Sequence, residues 1–250
     1  MPGPDREFNG TTRFVLKRRL GEGGMGVVWE ALDRERLTPV ALKTLRTLAP
    51  ETLLRFKHEF RALQDLSHPN LVSLGELIEE DGQWFFTMEL VRGESLLAWV
   101  RRDDRFDEPR LRAAFAQLAT GLAALHARGL VHRDVKPSNV LVAEDGRVVV
   151  LDFGVVAEVS THEEGGGIVG TAAYMAPEQA AGGPVGAASD WYAFGAVLHQ
   201  ALTGMLPFSG RRTSENDREL PPPRRWSAAV PEDLDALVRS LLRQIGRAHV

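Results

Sequence analysis

The chain has 250 residues and is 44% hydrophobic, so it can bury a substantial core in one large domain or two small ones. Its net charge of -4 gives no bulk attraction to nucleic acid or anionic lipid, which argues against proteins that bind either through charge alone. Cysteine is absent, which excludes disulfides and thiolate metal sites, and no apolar run approaches the ~20 residues that a membrane span needs. We therefore expect no nucleic-acid partner and no membrane contact for this segment, and a cytoplasmic location either alone or as part of a larger protein.

The N-terminal region combines a polar tail with a glycine-rich pattern between strands. Residues 1–13 are rich in proline, glycine and polar side chains, and we expect a disordered tail there. Strands are predicted at 14–20 and 27–32, separated by Gly21, Gly23, Gly24 and Gly26. This spacing alone is weak evidence, because a hairpin turn also favours glycine. A third strand, 39–43, ends at Lys43, and that order favours a loop whose backbone amides approach phosphate groups.

A helix and a second pair of strands follow. Apolar residues recur at helical spacing over 51–66, and His68-Pro69 ends the helix. Strands are predicted at 71–77 and 84–90.

The stretch from Val131 to Gly154 carries the polar side chains that suggest chemistry. Its two short strands are entered from a loop that contains Asp134, Lys136 and Asn139, and the second strand leads to Asp152. An aspartate can accept the proton of an attacking hydroxyl, and a lysine can neutralise a moving phosphoryl group. Asparagine and aspartate supply hard oxygen ligands suited to Mg²⁺, with Mn²⁺ as an alternative. The stretch therefore predicts a phosphoryl-transfer site.

The C-terminal half is predicted to be mainly helical. Helices are expected at 111–128, 191–202 and 232–244, and Gly129 ends the first of them. The segment 152–178 is rich in glycine and charge, so it cannot bury enough apolar surface to order itself. It needs an ordering signal.

An ordered set of motifs connects these regions: GEGGMGVV, VALK ending at Lys43, Glu59 in a helical run, HRDVKPSN, DFG, GTAAYMAPE and SDWYAFG. One of them could arise by chance, but the set resembles the catalytic domain of bacterial, eukaryotic-like (Hanks-type) Ser/Thr protein kinases over residues 14–244. The resemblance implies an α+β, bilobal fold. A five-stranded antiparallel sheet with one helix would form the N-lobe, 14–91, and a mainly helical C-lobe would cover 92–244, with ATP in the cleft.

The resemblance also implies a nucleotide-binding set. ATP would contact residues from the glycine loop, the strands and the hinge: Leu20, Gly21, Gly23, Gly24, Gly26, Val28, Ala41, Met88, Glu89, Val91 and Leu141. Lys43 would hold the α- and β-phosphates and form an ion pair with Glu59. The alternative for Glu59 is a solvated surface charge, which is the usual fate of a helical glutamate.

Catalytic roles are implied in the same way. Asp134 would accept the proton of the substrate hydroxyl, and Asn139 and Asp152 would bind Mg²⁺. Thr171 would bridge Asp134 and Lys136, which favours Ser and Thr over Tyr as acceptors on protein substrates.

Five further positions have structural or regulatory roles in relatives. His132 would pack in a hydrophobic column and not act as a base, and Asp190 would hold the HRD backbone from below. Arg133 would pair with a phosphate on the activation segment, where Ser160 and Thr161 are the available acceptors. Autophosphorylation in trans is the expected route, so transient self-association is expected as well.

Two other classes of function remain open from sequence. A nucleotide-binding pseudokinase, acting as a regulatory binding module, would need a lost catalytic group, whereas the expected lysine, glutamate, asparagine and both aspartates are all present. A small-molecule phosphotransferase of the same fold is disfavoured by GTAAYMAPE, which docks a peptide in protein kinases.

The C-terminal end departs from the family pattern. No Asp-Pro followed by Arg-Pro appears after Gln244, so we expect an incomplete C-lobe in which Glu178 lacks its usual arginine partner. Residues 245–250, IGRAHV, back-translate to a sequence that looks like a sequencing adapter read in frame. We expect them to be a non-native tail, and the chain to be poorly soluble or weakly active.

Overall fold

The computed structural model describes residues 8–23, 26–46, 49–152, 173–207 and 221–243. These residues form two compact units. The first contains the described residues up to Ser67 together with Val72–Val91, and the second contains His68–Leu71 and the described residues from Arg92 onward. The chain therefore leaves the first unit at Ser67, returns at Val72 and leaves it again at Val91.

The first unit is a five-stranded antiparallel sheet with one helix. The strand order is β1-β2-β3-β5-β4, and the helix is inserted in the chain between β3 and β4. The elements are β1 (Phe14–Gly23), β2 (Gly26–Asp33), β3 (Thr38–Thr44), α1 (Pro50–Gln64), β4 (Leu74–Glu80) and β5 (Gln83–Met88). This confirms the predicted α+β class and the five-stranded sheet.

Both faces of this sheet are apolar, because side chains alternate along each strand. One face buries a cluster of Phe14, Ala31, Leu42 and Phe85. On the other face, Phe86 meets Phe56 and Phe60 of α1, with ring centroids 6.1 and 5.3 Å apart. Helix α1 is therefore held on the sheet by aromatic contacts as well as by buried area.

Residues 8–13 are packed on this unit. Phe8 lies on Phe85, with ring centroids 5.1 Å apart. Arg13 donates to both carboxylate oxygens of Asp33, at 3.1 and 2.7 Å, and to both of Glu76, at 3.0 and 2.9 Å. This guanidinium lowers the pKa of Asp33 to about 2 and also lowers the pKa of Glu76. The prediction of a disordered tail over 1–13 is therefore wrong for residues 8–13, whose ring and charge find partners on distant strands.

The second unit is mainly helical and carries two small sheets. The three-stranded sheet has the order β10-β9-β6, and β7 pairs with β8. Its elements are β6 (Gly93–Ser95), α2 (Leu96–Val100), β7 (Arg101–Arg102), β8 (Arg105–Phe106), α3 (Glu108–His126), β9 (Val140–Ala143), β10 (Val148–Val150), α4 (Pro177–Ala180), α5 (Ala187–Thr203) and α6 (Glu232–Arg243). Among the helices described, none has the length and apolarity that crossing a membrane requires.

Helices α3 and α5 form the centre of this unit. The Asp107 side chain caps α3 by accepting from the Arg110 N–H at 3.0 Å, and Gly129, at φ 71°, follows its end. Helix α5 is buried along most of its length. The ring of its Phe194 meets the ring of Phe115 in α3 edge-on, with the centroids 5.3 Å apart. The loop between α3 and β9 leaves the end of one of these helices.

Several element bounds differ from prediction, including the starts of α3 and α5, which lie three and four residues earlier than predicted. The glycine pattern is strand up to Gly23 and again from Gly26, because the glycines continue the β1–β2 pairing. The strand predicted at 71–77 begins at Leu74, since Leu71 forms an isolated bridge with Val150 instead. The small strands β6 to β8 and the one-turn helix α2 were not predicted.

Candidate active site

The second unit gathers the polar residues of the HRDVKPSN motif around one carboxylate. The Lys136 ammonium lies 2.8 Å from Asp134 Oδ2. The Asn139 amide donates to the same oxygen at 2.9 Å and to the Asp134 carbonyl at 2.8 Å. The Asp134 side chain is 20% exposed and the Lys136 side chain is 23% exposed. The Asp134 carboxylate is thus fixed in direction while still reachable by a hydroxyl group.

A buried aspartate on α5 holds the loop that carries this carboxylate. Asp190 is 1% exposed, and it accepts the backbone N–H groups of His132 and Arg133, both at 2.8 Å. His126 Nε2 lies 2.7 Å from the same side chain. The support expected for Asp190 from the resemblance is therefore present.

His132 is occupied on both sides of its ring. Its Nε2 donates to the Leu151 carbonyl at 2.8 Å, and its Nδ1 accepts the Asp134 N–H at 3.2 Å. The ring is fully buried. His132 is therefore a structural residue and is in no position to act as a general base.

The two proposed metal-binding residues are brought close by the backbone. Leu151 N–H donates to the Asn139 carbonyl at 2.8 Å, so Asp152 directly follows a residue that is tied to Asn139. The Asn139 amide nitrogen donates to Asp134, and its Oδ1 accepts the Ser138 hydroxyl at 3.5 Å, so Oδ1 is the amide atom with a lone pair to offer a cation. Asp152 has φ 49°, a left-handed conformation that non-glycine residues adopt mainly where their surroundings impose it.

In the first unit, strand register places the expected nucleotide-binding side chains on one face. Val28 pairs with Lys43, and Ala41 pairs with Met88. Directly paired residues share a face, so all four lie on the face that also carries Phe86 and is packed by α1. Ala41, Lys43 and Met88 are buried.

Gly26 is required by a close approach of two strands. It has φ 147°, and a Cβ atom there would lie 1.8 Å from the Thr44 carbonyl oxygen. No side chain fits at that distance. This glycine therefore brings β2 against β3 immediately beside the glycine loop.

Comparison with known proteins identifies the family. A model described as protein kinase domain matches residues 14–245. The chain belongs to the protein kinase family. The motifs, their order and the geometry of Asp134 and Asp190 all agree with that assignment.

Three curated relatives of this kinase chain come from bacteria. It is 37% identical over 244 residues to "Serine/threonine-protein kinase PknA" of Mycobacterium tuberculosis (strain ATCC 25618 / H37Rv), covering 92% of this chain and 55% of that protein. It is 34% identical to PrkC of Bacillus subtilis, covering 90% and 36%, and 36% identical to pkn3 of Myxococcus xanthus, covering 95% and 48%. The chain thus spans about half or less of these relatives.

For the other predicted site residues that are described, the structure gives the element on or beside which each lies. Leu20, Gly21 and Gly23 lie at the end of β1, Leu141 lies in β9, and Glu89 and Val91 follow β5. Glu59 lies on α1 beside Phe60 and is half-buried, and its ion pair with Lys43 stays a prediction. Gly24, Ser160, Thr161, Thr171 and residues 245–250 lie outside the described residues.

Three residues of the second unit were missed from sequence. His126 contacts the Asp190 carboxylate, and Gln179 donates to the Arg133 carbonyl at 2.7 Å. Gln200 accepts the Tyr174 hydroxyl at 2.6 Å, while burial raises the pKa of that tyrosine. No local pattern marks these residues, since each partner is distant in sequence.

Glu178 is held at one oxygen only, as far as the described residues extend. Its Oε1 lies 2.5 Å from the Ser189 hydroxyl, whereas its Oε2 is buried without a hydrogen-bond partner there. A buried carboxylate oxygen normally has a donor. The arginine expected for it in relatives has no counterpart in the described part of the chain.

Proposed function

We propose that this chain is an ATP- and Mg²⁺-dependent kinase that phosphorylates Ser and Thr hydroxyls of proteins. The observation that carries the proposal is the Asp134 carboxylate, held by Lys136 and Asn139 on a loop that the buried Asp190 clamps. Family membership supports it, as do the printed names of the relatives.

Nucleotide binding is assigned to the face of the first unit that carries Val28, Ala41 and Lys43. The apolar side chains of Val28 and Ala41 suit an adenine ring, and Lys43 would neutralise phosphate charge there. Glu59 would hold the lysine in place from α1. At the hinge, Glu89 already donates its N–H to the Ser73 carbonyl at 2.9 Å, so its carbonyl is the group proposed for adenine.

Metal binding is assigned to Asn139 and Asp152. Their oxygens are the hard donors that Mg²⁺ prefers, and an incomplete protein ligand set is usual for this ion, which keeps waters and phosphate oxygens as ligands. When bound, Mg²⁺ supplies positive charge to the phosphate oxygens during transfer.

The transfer step is derived from the chain's own residues. Asp134 accepts the proton of the acceptor hydroxyl as that oxygen forms its bond to the γ-phosphorus. The bond from phosphorus to the β–γ bridging oxygen breaks, and ADP leaves with the electron pair. Lys136, beside Asp134, places a positive charge where the transferred group passes.

Activation is proposed to occur through phosphate on Ser160 or Thr161, added in trans by a second copy. Charge-assisted hydrogen bonds to Arg133 would order the segment. Mass spectrometry should find this phosphate on active protein and not on Asp134→Asn protein expressed alone. Full activity of a Ser160→Ala, Thr161→Ala double variant would contradict this route.

A pseudokinase is the alternative, and one assay separates the two. Purified chain is incubated with labelled ATP, Mg²⁺ and a generic basic protein, next to Asp134→Asn as control. We expect label on serine and threonine with wild type alone. Nucleotide binding without any transfer would support the pseudokinase, and equal labelling by both proteins would point to a contaminating enzyme.

A further inference from the structure

The peptide group that joins Arg133 to Asp134 is held at both ends by side chains. Its carbonyl oxygen accepts from Gln179 Nε2 at 2.7 Å, and its N–H donates to His132 Nδ1 at 3.2 Å. Rotation of this peptide group would swing the Cα–Cβ bond of Asp134. The two hydrogen bonds therefore control the direction of the carboxylate.

Arg133 makes this control necessary, because its backbone is strained. Its φ is 67°, in the left-handed region that arginine rarely adopts. Such a conformation persists only where surrounding contacts over-determine it. The preceding peptide group is fixed by Asp190, which accepts the Arg133 N–H at 2.8 Å, and the following one is fixed by Gln179.

Gln179 sits on an anchored element. It belongs to α4, and the neighbouring Glu178 contacts the Ser189 hydroxyl of α5 and accepts the Gly183 N–H at 2.8 Å through its carbonyl. An amide side chain suits this position because a carbonyl oxygen requires a donor. A glutamate of the same shape would present only acceptors when ionised.

We propose that Gln179 is a positioning residue for phosphoryl transfer, which sets the Asp134 carboxylate through the Arg133 carbonyl and touches neither substrate nor nucleotide. The inference rests on the proposed kinase function. Gln179 couples the end of the activation segment to the catalytic loop by its single hydrogen bond to the Arg133 carbonyl. Loss of that bond lowers the transfer rate and leaves nucleotide binding as it was.

The test compares Gln179→Glu with the isosteric, apolar Gln179→Met. At neutral pH both variants should lower kcat by roughly 10- to 100-fold, the range that a misplaced catalytic group produces, with KM for ATP and nucleotide affinity within about twofold of wild type. A protonated glutamate can donate to the carbonyl again, since its pKa is ~4.3 or higher when it faces an acceptor. The kcat of Gln179→Glu relative to wild type should therefore rise between about pH 8 and about pH 5.5, while that of Gln179→Met stays flat.

Gln83→Glu, the same change at the β4–β5 turn, is the matched control and should follow wild type at every pH. The inference is overturned if both Gln179 variants keep kcat within about twofold of wild type, or if only Gln179→Glu is impaired. It is also overturned if nucleotide affinity falls in parallel with kcat, which would indicate general loss of the fold. Absence of any transfer by wild type would instead refute the proposed kinase function.

Discussion

Replacing Asp190 by asparagine tests how the fold supports the catalytic loop. Asp190 Oδ1 accepts from Arg133 N–H, and Oδ2 accepts from His132 N–H and contacts His126. Asparagine has only one acceptor atom, so in either amide orientation its NH₂ faces a buried backbone N–H. One orphaned donor costs about 1–3 kcal/mol, and the remaining bond loses its charge assistance. We expect a loss of about 3 kcal/mol from a typical stability of ~5–15 kcal/mol.

Thermal unfolding followed by circular dichroism measures this loss. For a chain of this size, about 3 kcal/mol corresponds to a fall in Tm of roughly 6–12 °C. Transfer activity, measured well below Tm, should fall at least about tenfold because the loop that carries Asp134 relaxes. Asp145→Asn is the control, since Asp145 caps an exposed turn at Arg147 N–H and should change stability by less than about 0.5 kcal/mol. A Tm for Asp190→Asn within about 1 °C of wild type would refute the reasoning.

Three further predictions concern charges away from the site. Arg13 holds the pKa of Asp33 at about 2, below its unfolded value, so the stabilisation from this ion pair is complete above pH ~5 and is lost as pH falls toward 2. In urea titrations Asp33→Asn should lower stability by about 2 kcal/mol at neutral pH and should lose less stability than wild type on acidification, whereas parallel stability profiles of the two proteins would contradict this. Burial lowers the pKa of His199, so the unfolded state takes up the proton first and the stability of the fold should drop as pH falls below ~6.5. His199→Phe should remove this dependence of stability on pH, and an unchanged dependence would show that other groups cause it. Arg101 donates to the Ala201 carbonyl at the end of α5, at 2.8 Å, so Arg101→Met should cost about 1–2 kcal/mol, whereas a loss below about 0.3 kcal/mol would show that water replaces the contact.

The sheet and the main helices could be predicted because their signals are local. Alternation and helical periodicity reflect which face is buried, and Gly129 marks the end of α3 by its backbone geometry. The predicted start at 111 is three residues late, because the cap formed by the Asp107 side chain was not predicted. The β7–β8 hairpin was missed because its turn lacks the usual Asn-Gly signal. Asp103 and Asp104 adopt positive φ values of 49° and 60° without a glycine.

The catalytic loop was predicted as a set of residues but not as an arrangement. The motif places Asp134, Lys136 and Asn139 within one short segment, so their proximity follows from sequence. Partners that come from distant elements do not, because nothing in the local sequence encodes a tertiary contact. Gln179, 46 positions from Arg133, and His126, 64 positions from Asp190, are the clearest examples.

For residues 8–13, the sequence predicted disorder where the structure has ordered contacts. The composition of this stretch predicts disorder, and composition is the right guide only when a segment has no partners. Phe8 and Arg13 have them in Phe85, Asp33 and Glu76. These contacts, together with those of Thr11 to Arg13 and Phe14, hold the described part of this segment on the sheet.

The central claim, that Asp134 is the base of a phosphoryl transfer, is tested most directly by the transfer rate of Asp134→Asn at saturating ATP and Mg²⁺. The measurement uses protein whose nucleotide affinity has first been shown to match wild type. We expect the rate to fall by ~10²- to 10⁴-fold, the usual contribution of a general base. A variant that binds nucleotide normally and keeps more than about a tenth of the wild-type rate would contradict the account.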